Sequence, residues 1–174
     1  MNKEEINNHL VDGYRNFTDF IGSLSNKEFA FSPSGKWNAG QQMDHLIRAV
    51  QPLSTGLRLP KFVIRLFFGK SNRPSKTYDA LVEKYKGKLA MGGKASGRFI
   101  PTGIGFARKD RGIKKLNNQV ARLVQNLDRY SEKDLDIYIV PHPLMGKLTM
   151  REMMYFTIYH SEHHLRQTKI NIGK

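Results

Sequence analysis

A chain of 174 residues, 39% of them hydrophobic, holds enough apolar material for one domain with one core. It has no cysteine, which excludes disulfides, thiolate ligands and a cysteine nucleophile. Its net charge of +14 lies entirely in the middle: residues 58–122 hold 17 Lys and Arg against 3 Asp and Glu, and the remainder holds twelve of each. Such a stretch attracts nucleic acid, anionic membrane or acidic small molecules, or simply solvates the surface. No run approaches the roughly 18 apolar residues of a membrane span. The longest, Phe62 to Phe68, is broken by Arg65. The start, Met-Asn-Lys-Glu-Glu-Ile, lacks the apolar region of a secretion signal. A cytoplasmic protein with no membrane partner is therefore expected.

The first long helix is predicted from Lys3 to Ser23, with Asn2 as its cap. Ile6, Leu10, Tyr14, Phe17, Ile21 and Leu24 recur at spacings of three and four, an apolar helical stripe. Phe31 to Trp37 is rich in turn residues. Asn38, with Gln41 three residues on, caps a second helix from Ala39 to Leu57. Its stripe is Met43, Leu46, Ile47, Val50, Leu53 and Leu57. His45 lies roughly 130° from the middle of that stripe at about 100° per residue.

Residues 58–107 are the least regular part. Pro60 breaks the second helix. Phe62 to Phe68 suits a short helix or strand, and Ser75 to Leu89 a short amphipathic helix. Gly92, Gly93, Gly97, Gly103 and Gly105, with Pro101, mark residues 91–107 as a long loop. A third long helix is predicted from Lys109 to Tyr130 on Ile113, Leu116, Val120, Leu123 and Leu127. Ser131 starts a new turn, and Asp136 to Lys147 reads as a link. Thr149 and Glu152 form a capping box that opens the fourth long helix, Met150 to about Ile170. The expected fold is all-α: one four-helix-bundle domain over residues 1–174, with a long crossover between helices two and three.

His160 and His164 are four apart, one turn above each other on one helix face. Their stripe, with Gln167, is separate from the aliphatic one of Met154, Ile158 and Leu165. A lone histidine is more often structural than a ligand, but a pair at this spacing raises the case for metal. His45 supplies a third ligand if helices two and four are neighbours. Three imidazoles favour zinc, nickel, copper or iron and leave positions open for water or substrate. His163 flanks the pair, and His142, between Pro141 and Pro143, sits in a rigid loop that suits a pocket mouth or a bundle-end turn. No catalytic residue is assigned. Glu162 lies about 200° round the helix from both His160 and His164, Asp44 faces away from His45, and Tyr159 and Ser161 have no visible base.

These residues resemble a known family. Trp37-Asn-Ala-Gly-Gln-Gln-Met-Asp-His45-Leu looks like the second-helix signature of the DinB-like superfamily, which includes the YfiT-type metal-dependent hydrolases. Tyr159-His160-Ser-Glu-His163-His164-Leu-Arg-Gln167 looks like its last-helix signature. The resemblance implies a four-helix bundle, a metal held by His45, His160 and His164, and frequent dimers. Members with assigned activity include thiol S-transferases using low-molecular-weight thiols, and hydrolase activities are ascribed to relatives. The basic, glycine-rich middle departs from the pattern and leaves the substrate open.

Two functions follow as expectations. The first is a metal-dependent thiol S-transferase or hydrolase acting on a small molecule, with zinc or nickel at His45, His160 and His164, a small thiol as cosubstrate, and His163, Gln167, His142 and Trp37 around the pocket. The second, ranked below it, is a basic non-catalytic protein binding nucleic acid or another anion. It rests on Tyr78, Tyr85, Phe99 and Phe106 interleaved with cations as stacking groups, with no nucleic-acid motif present.

Overall fold

A computed structural model describes residues 1–174. Four long helices form its frame: α1 (Lys3–Ser23), α3 (Ala39–Gly56), α6 (Lys109–Leu127) and α8 (Met150–Ile172). Between them lie short helices α2 (Asn26–Ala30), α4 (Lys61–Phe68), α5 (Tyr78–Ala90) and α7 (Glu132–Ile137). One antiparallel hairpin, β1 (Ile139–His142) with β2 (Gly146–Thr149), runs directly into α8.

Packing runs in a closed ring, α1 on α6, α6 on α3, α3 on α8 and α8 on α1. Helices two and four of the frame are therefore neighbours. The stripes read from the sequence point inward: Ile6, Leu10, Tyr14, Phe17 and Ile21 of α1, Met43, Leu46, Ile47 and Val50 of α3, and Leu116, Val120, Leu123 and Leu127 of α6 are all buried. The close approach of α1 to α8 depends on Gly13, where a Cβ would lie 2.7 Å from Ser161 Oγ.

Reciprocal capping boxes start α1, α3 and α8. Asn2 pairs with Glu5, Asn38 with Gln41 and Thr149 with Glu152. Each satisfies backbone donors that the first helical turn leaves bare. Glu152 is fully buried and does more than cap. It also receives Arg73 at 2.6 and 2.8 Å and the amide of Lys76 at 2.8 Å, tying the crossover to the root of α8.

The connections on either side of α6 are where the structure decides between alternatives or departs from the sequence reading. Residues 61–68 are a helix. Asp136 to Lys147, expected as a link that is extended at Tyr138 to Val140, instead ends α7 and forms most of the hairpin: Pro141 and Pro143 obscure the strand pattern, and the two strands pack on each other and against α4, α7 and α8. The third long helix stops at Leu127, three residues short of the expected end.

Candidate metal centre

His45 lies on the face of α3 turned to α8, and His160 and His164 lie on the facing side of α8. All three are buried, with 3–6% exposure. The Nε2 atoms of His45 and His164 lie 3.1 and 3.0 Å from His160 Nε2. The three ligand atoms all fall within 4.8 Å of one another. Nitrogens bound to one ion at about 2.0–2.1 Å stand about 2.9 Å apart at right angles and about 3.4 Å apart at tetrahedral angles. Both distances to His160 Nε2 fall between those limits.

The far side of each ring decides which nitrogen faces the centre. His45 donates its Nδ1–H to the carbonyl oxygen of Phe99 at 2.7 Å. His164 donates its Nδ1–H to Gln42 Oε1. Both rings therefore present a bare Nε2 lone pair inward. His160 Nδ1 is buried with no partner. A proton on its Nε2 serves only one of two facing lone pairs. A proton on Nδ1 leaves three lone pairs aimed at one point, an arrangement that a cation stabilises.

The electrostatics agree with that reading. Burial pushes the pKa of His45, His160 and His164 down, well down for the last two, and the neighbouring imidazoles push His160 and His164 further. Neutral imidazole is the ligating form. Trp37, half-buried, stacks on His164 with ring centroids 6.2 Å apart and tilts against His45 at 5.0 Å, closing the back of the cluster.

Sequence reasoning missed what holds the front. Asp44, adjacent to His45, bonds to the loop at residues 98–105 and accepts no hydrogen bond from the three rings. Its Oδ2 accepts the amides of Thr102 at 2.8 Å and Gly103 at 3.1 Å and the Arg48 guanidinium at 3.0 Å. Burial pushes that carboxyl up, but the two amides and Arg48 outweigh burial and hold it below its ordinary range. Arg48 also binds the Arg98 carbonyl and Thr102 Oγ1. Part of the basic middle segment is thereby folded over His45. The only sequence signal was the i, i+4 pairing of Asp44 with Arg48, which reads equally well as a surface pair.

His45 and His160 form part of the floor of a cavity of about 290 Å³. Leu57, Ile64, Tyr85, Met150, Met153 and Phe156 wall it, all of them buried. Exposed residues at its edge include Leu59, Lys94 and Arg98. None of the lining residues is a carboxylate. His142 lines the cavity as well as closing the hairpin: its Nδ1 accepts the amides of Leu144 and Met145, each at 3.1 Å. Its proton is therefore on Nε2. Burial and then the charge of Lys84 lower its pKa to about 4, so at neutral pH it is an uncharged donor. His163 and Gln167 are half-buried and lie outside the cavity lining, as does Trp37. His163 packs edge-on to Tyr85 and His164, and burial lowers its pKa to about 4. Glu162 is exposed.

Of the stacking candidates, Tyr85 is buried in the core and Tyr78 is half-buried against Tyr155. No curated protein matches the sequence at a significant level. A family model described as the DinB superfamily matches residues 9–168, nearly the whole chain and every residue of the histidine centre, and the protein belongs to that superfamily.

Proposed function

We propose that the protein is a metal-dependent enzyme that transfers a thiol to, or hydrolyses, a small molecule, working as a cytoplasmic homodimer. The observation that carries this reading is the convergence of three buried histidine nitrogens, with His45 and His160 opening onto the floor of an apolar cavity. His45, His160 and His164 would hold a divalent ion, zinc or nickel by donor type. Such an ion supplies a Lewis acid that lowers the pKa of a coordinated water or thiol toward neutrality.

The chain's own groups divide the remaining work. The Phe99 carbonyl and Gln42 keep His45 and His164 in the ligating tautomer. The aliphatic and aromatic walls exclude water and strengthen every polar contact inside. His142 offers its Nε2–H to a substrate oxygen and cannot act as a base, because its one lone pair is committed to two amides. Lys94 and Arg98 at the rim draw in an acidic cosubstrate, an effect that salt would weaken.

The test is elemental analysis of protein purified without a histidine tag, paired with consumption of a carboxylate-bearing small thiol before and after chelation. About one zinc or nickel per chain, and thiol consumption that stops on chelation and returns with added metal, would support the proposal. Turnover indifferent to chelation would refute it.

A second reading, a non-catalytic anion-binding protein, is favoured by one groove. Between α3 and α6, Arg111, Lys114, Lys115 and Arg122 line a polar depression with Gln51, Ser54 and Gln119. Filter binding of duplex and single strands at two salt concentrations tests it. Binding confined to low salt indicates phosphate attraction alone.

A further inference from the structure

Helix α4 exposes more apolar surface than its place in a bundle explains. Phe62, Leu66 and Phe67 are 70%, 78% and 73% exposed. At 100° per residue, Phe62, Leu66, Val63 and Phe67 occupy one arc of about 140°. The opposite arc, Ile64 and Phe68, faces inward and lines the cavity. The helix is fixed at both ends: Lys61 pairs with Asp134 at 2.6 Å, and Lys70 bridges to Tyr138. Its outward face is therefore held in position, and no other part of the chain covers it.

Apart from Asp134, which is paired with Lys61, the charges named around this face have one sign. Residues 58–78 contain no Asp or Glu. Arg58, Arg65 and Lys70 are exposed and form no ion pair. Lys147 adds a further exposed cation beside Phe68, whose carbonyl it approaches at 3.4 Å. A rigid apolar patch rimmed by unpaired cations is the composition of a helix that lies in a membrane interface. Anionic headgroups supply the complementary charge. A second copy of this chain would bring the same cations, and another net charge of +14, against the patch. No helix is long and apolar enough to cross a membrane, so the contact would be peripheral.

We propose that α4 seats the protein on an anionic lipid surface, with Phe62, Leu66 and Phe67 entering the interface and Arg58, Arg65, Lys70 and Lys147 meeting the headgroups. The expectation of no membrane partner rested on the lack of a spanning segment, which does not bear on peripheral contact. The cavity wall shares α4, so its rim is brought close to the lipid. The proposal stands independently of the metal chemistry.

The test is flotation of the full chain with vesicles of phosphatidylcholine alone and of phosphatidylcholine mixed with phosphatidylglycerol, at near-physiological salt. Binding is expected only to the anionic vesicles. Both F62S/F67S and R65Q/K70Q should weaken it by about tenfold or more, with circular dichroism unchanged. All substituted side chains are exposed, and the two variants fail independently if either disturbs folding. Undiminished binding of F62S/F67S would reduce the effect to adsorption by charge and overturn the proposal. So would absence of binding by the parent, or a parent dimer that F62S/F67S dissociates while no vesicle is bound.

Discussion

The carbonyl oxygen of Phe99 accepts the Nδ1–H of His45 at 2.7 Å, across 54 residues of sequence. That bond makes the glycine-rich crossover part of the histidine centre. Asp44 and Arg48 hold the loop by its Thr102 and Gly103 amides and its Arg98 carbonyl. The loop in turn fixes the tautomer in which His45 Nε2 faces His160.

Gln42 plays the same part for His164, with its side chain buried between α3 and α8. Gln42→Leu keeps the volume and removes the acceptor. Divalent metal affinity should fall about 10–100-fold while the helical content stays the same. Calorimetric titration of zinc or nickel into both proteins checks this.

Gly40 lies where α3 begins under the crossover, and a Cβ there would run into the Ile104 carbonyl and reach 3.0 Å from the Phe29 ring. Gly40→Ala must displace residues 103–105, at a cost of about 1–3 kcal/mol. Because the displaced loop carries Phe99, metal affinity should drop together with stability. Denaturant unfolding and calorimetry on one variant measure both.

The bundle was legible in the sequence because the long helices carry apolar stripes and three of the four, α1, α3 and α8, also carry side-chain start signals, whereas α6 has none. Ile6 to Leu24 and Leu116 to Leu127 repeat at three and four, and Asn2, Asn38 and Thr149 mark starts that the structure shows as capping boxes. The nearness of His45 to His160 was legible only through the family signature, since nothing local shows that α3 and α8 are neighbours. The rest depends on contacts between distant residues. Phe99 acts through its backbone, so its side chain gives no sign of the role. His142 reads as an isolated residue between prolines until the hairpin folds its amides back onto Nδ1. Asp44 is adjacent to His45, yet its hydrogen bonds run to residues 102–103 and Arg48.

Acid should loosen the metal-free protein. Burial lowers the folded pKa of His142 and His163 from 6.5 to about 4, and lowers His45, His160 and His164 as well. Between about 4 and 6.5 the unfolded chain thus binds more protons than the folded one. Stability is fully present above about 6.5 and falls with pH below it, by up to about 1.4 kcal/mol per pH unit for each such histidine. Denaturant midpoints of the chelated protein at pH 7.5, 6 and 5 should decrease in that order; a flat profile would show that the rings are hydrated. Metal-loaded protein should resist the first part of this fall and then release its ion as the imidazoles protonate.

The most direct measurement is calorimetric titration of zinc or nickel into the parent chain and into His45→Ala, His160→Ala and His163→Ala, with circular dichroism and thermal melts alongside. The parent should bind one ion per chain and melt higher when loaded, since a ligand held only by the folded state stabilises it. His45→Ala and His160→Ala should keep the helical fold and lose both tight binding and the rise in melting temperature, because two remaining imidazoles leave the ion mostly to water. His163→Ala, whose ring lies beside the cluster, should bind nearly as the parent does. Loss of binding in His163→Ala with retention in His160→Ala, or no loss in any variant, would contradict the three-histidine centre.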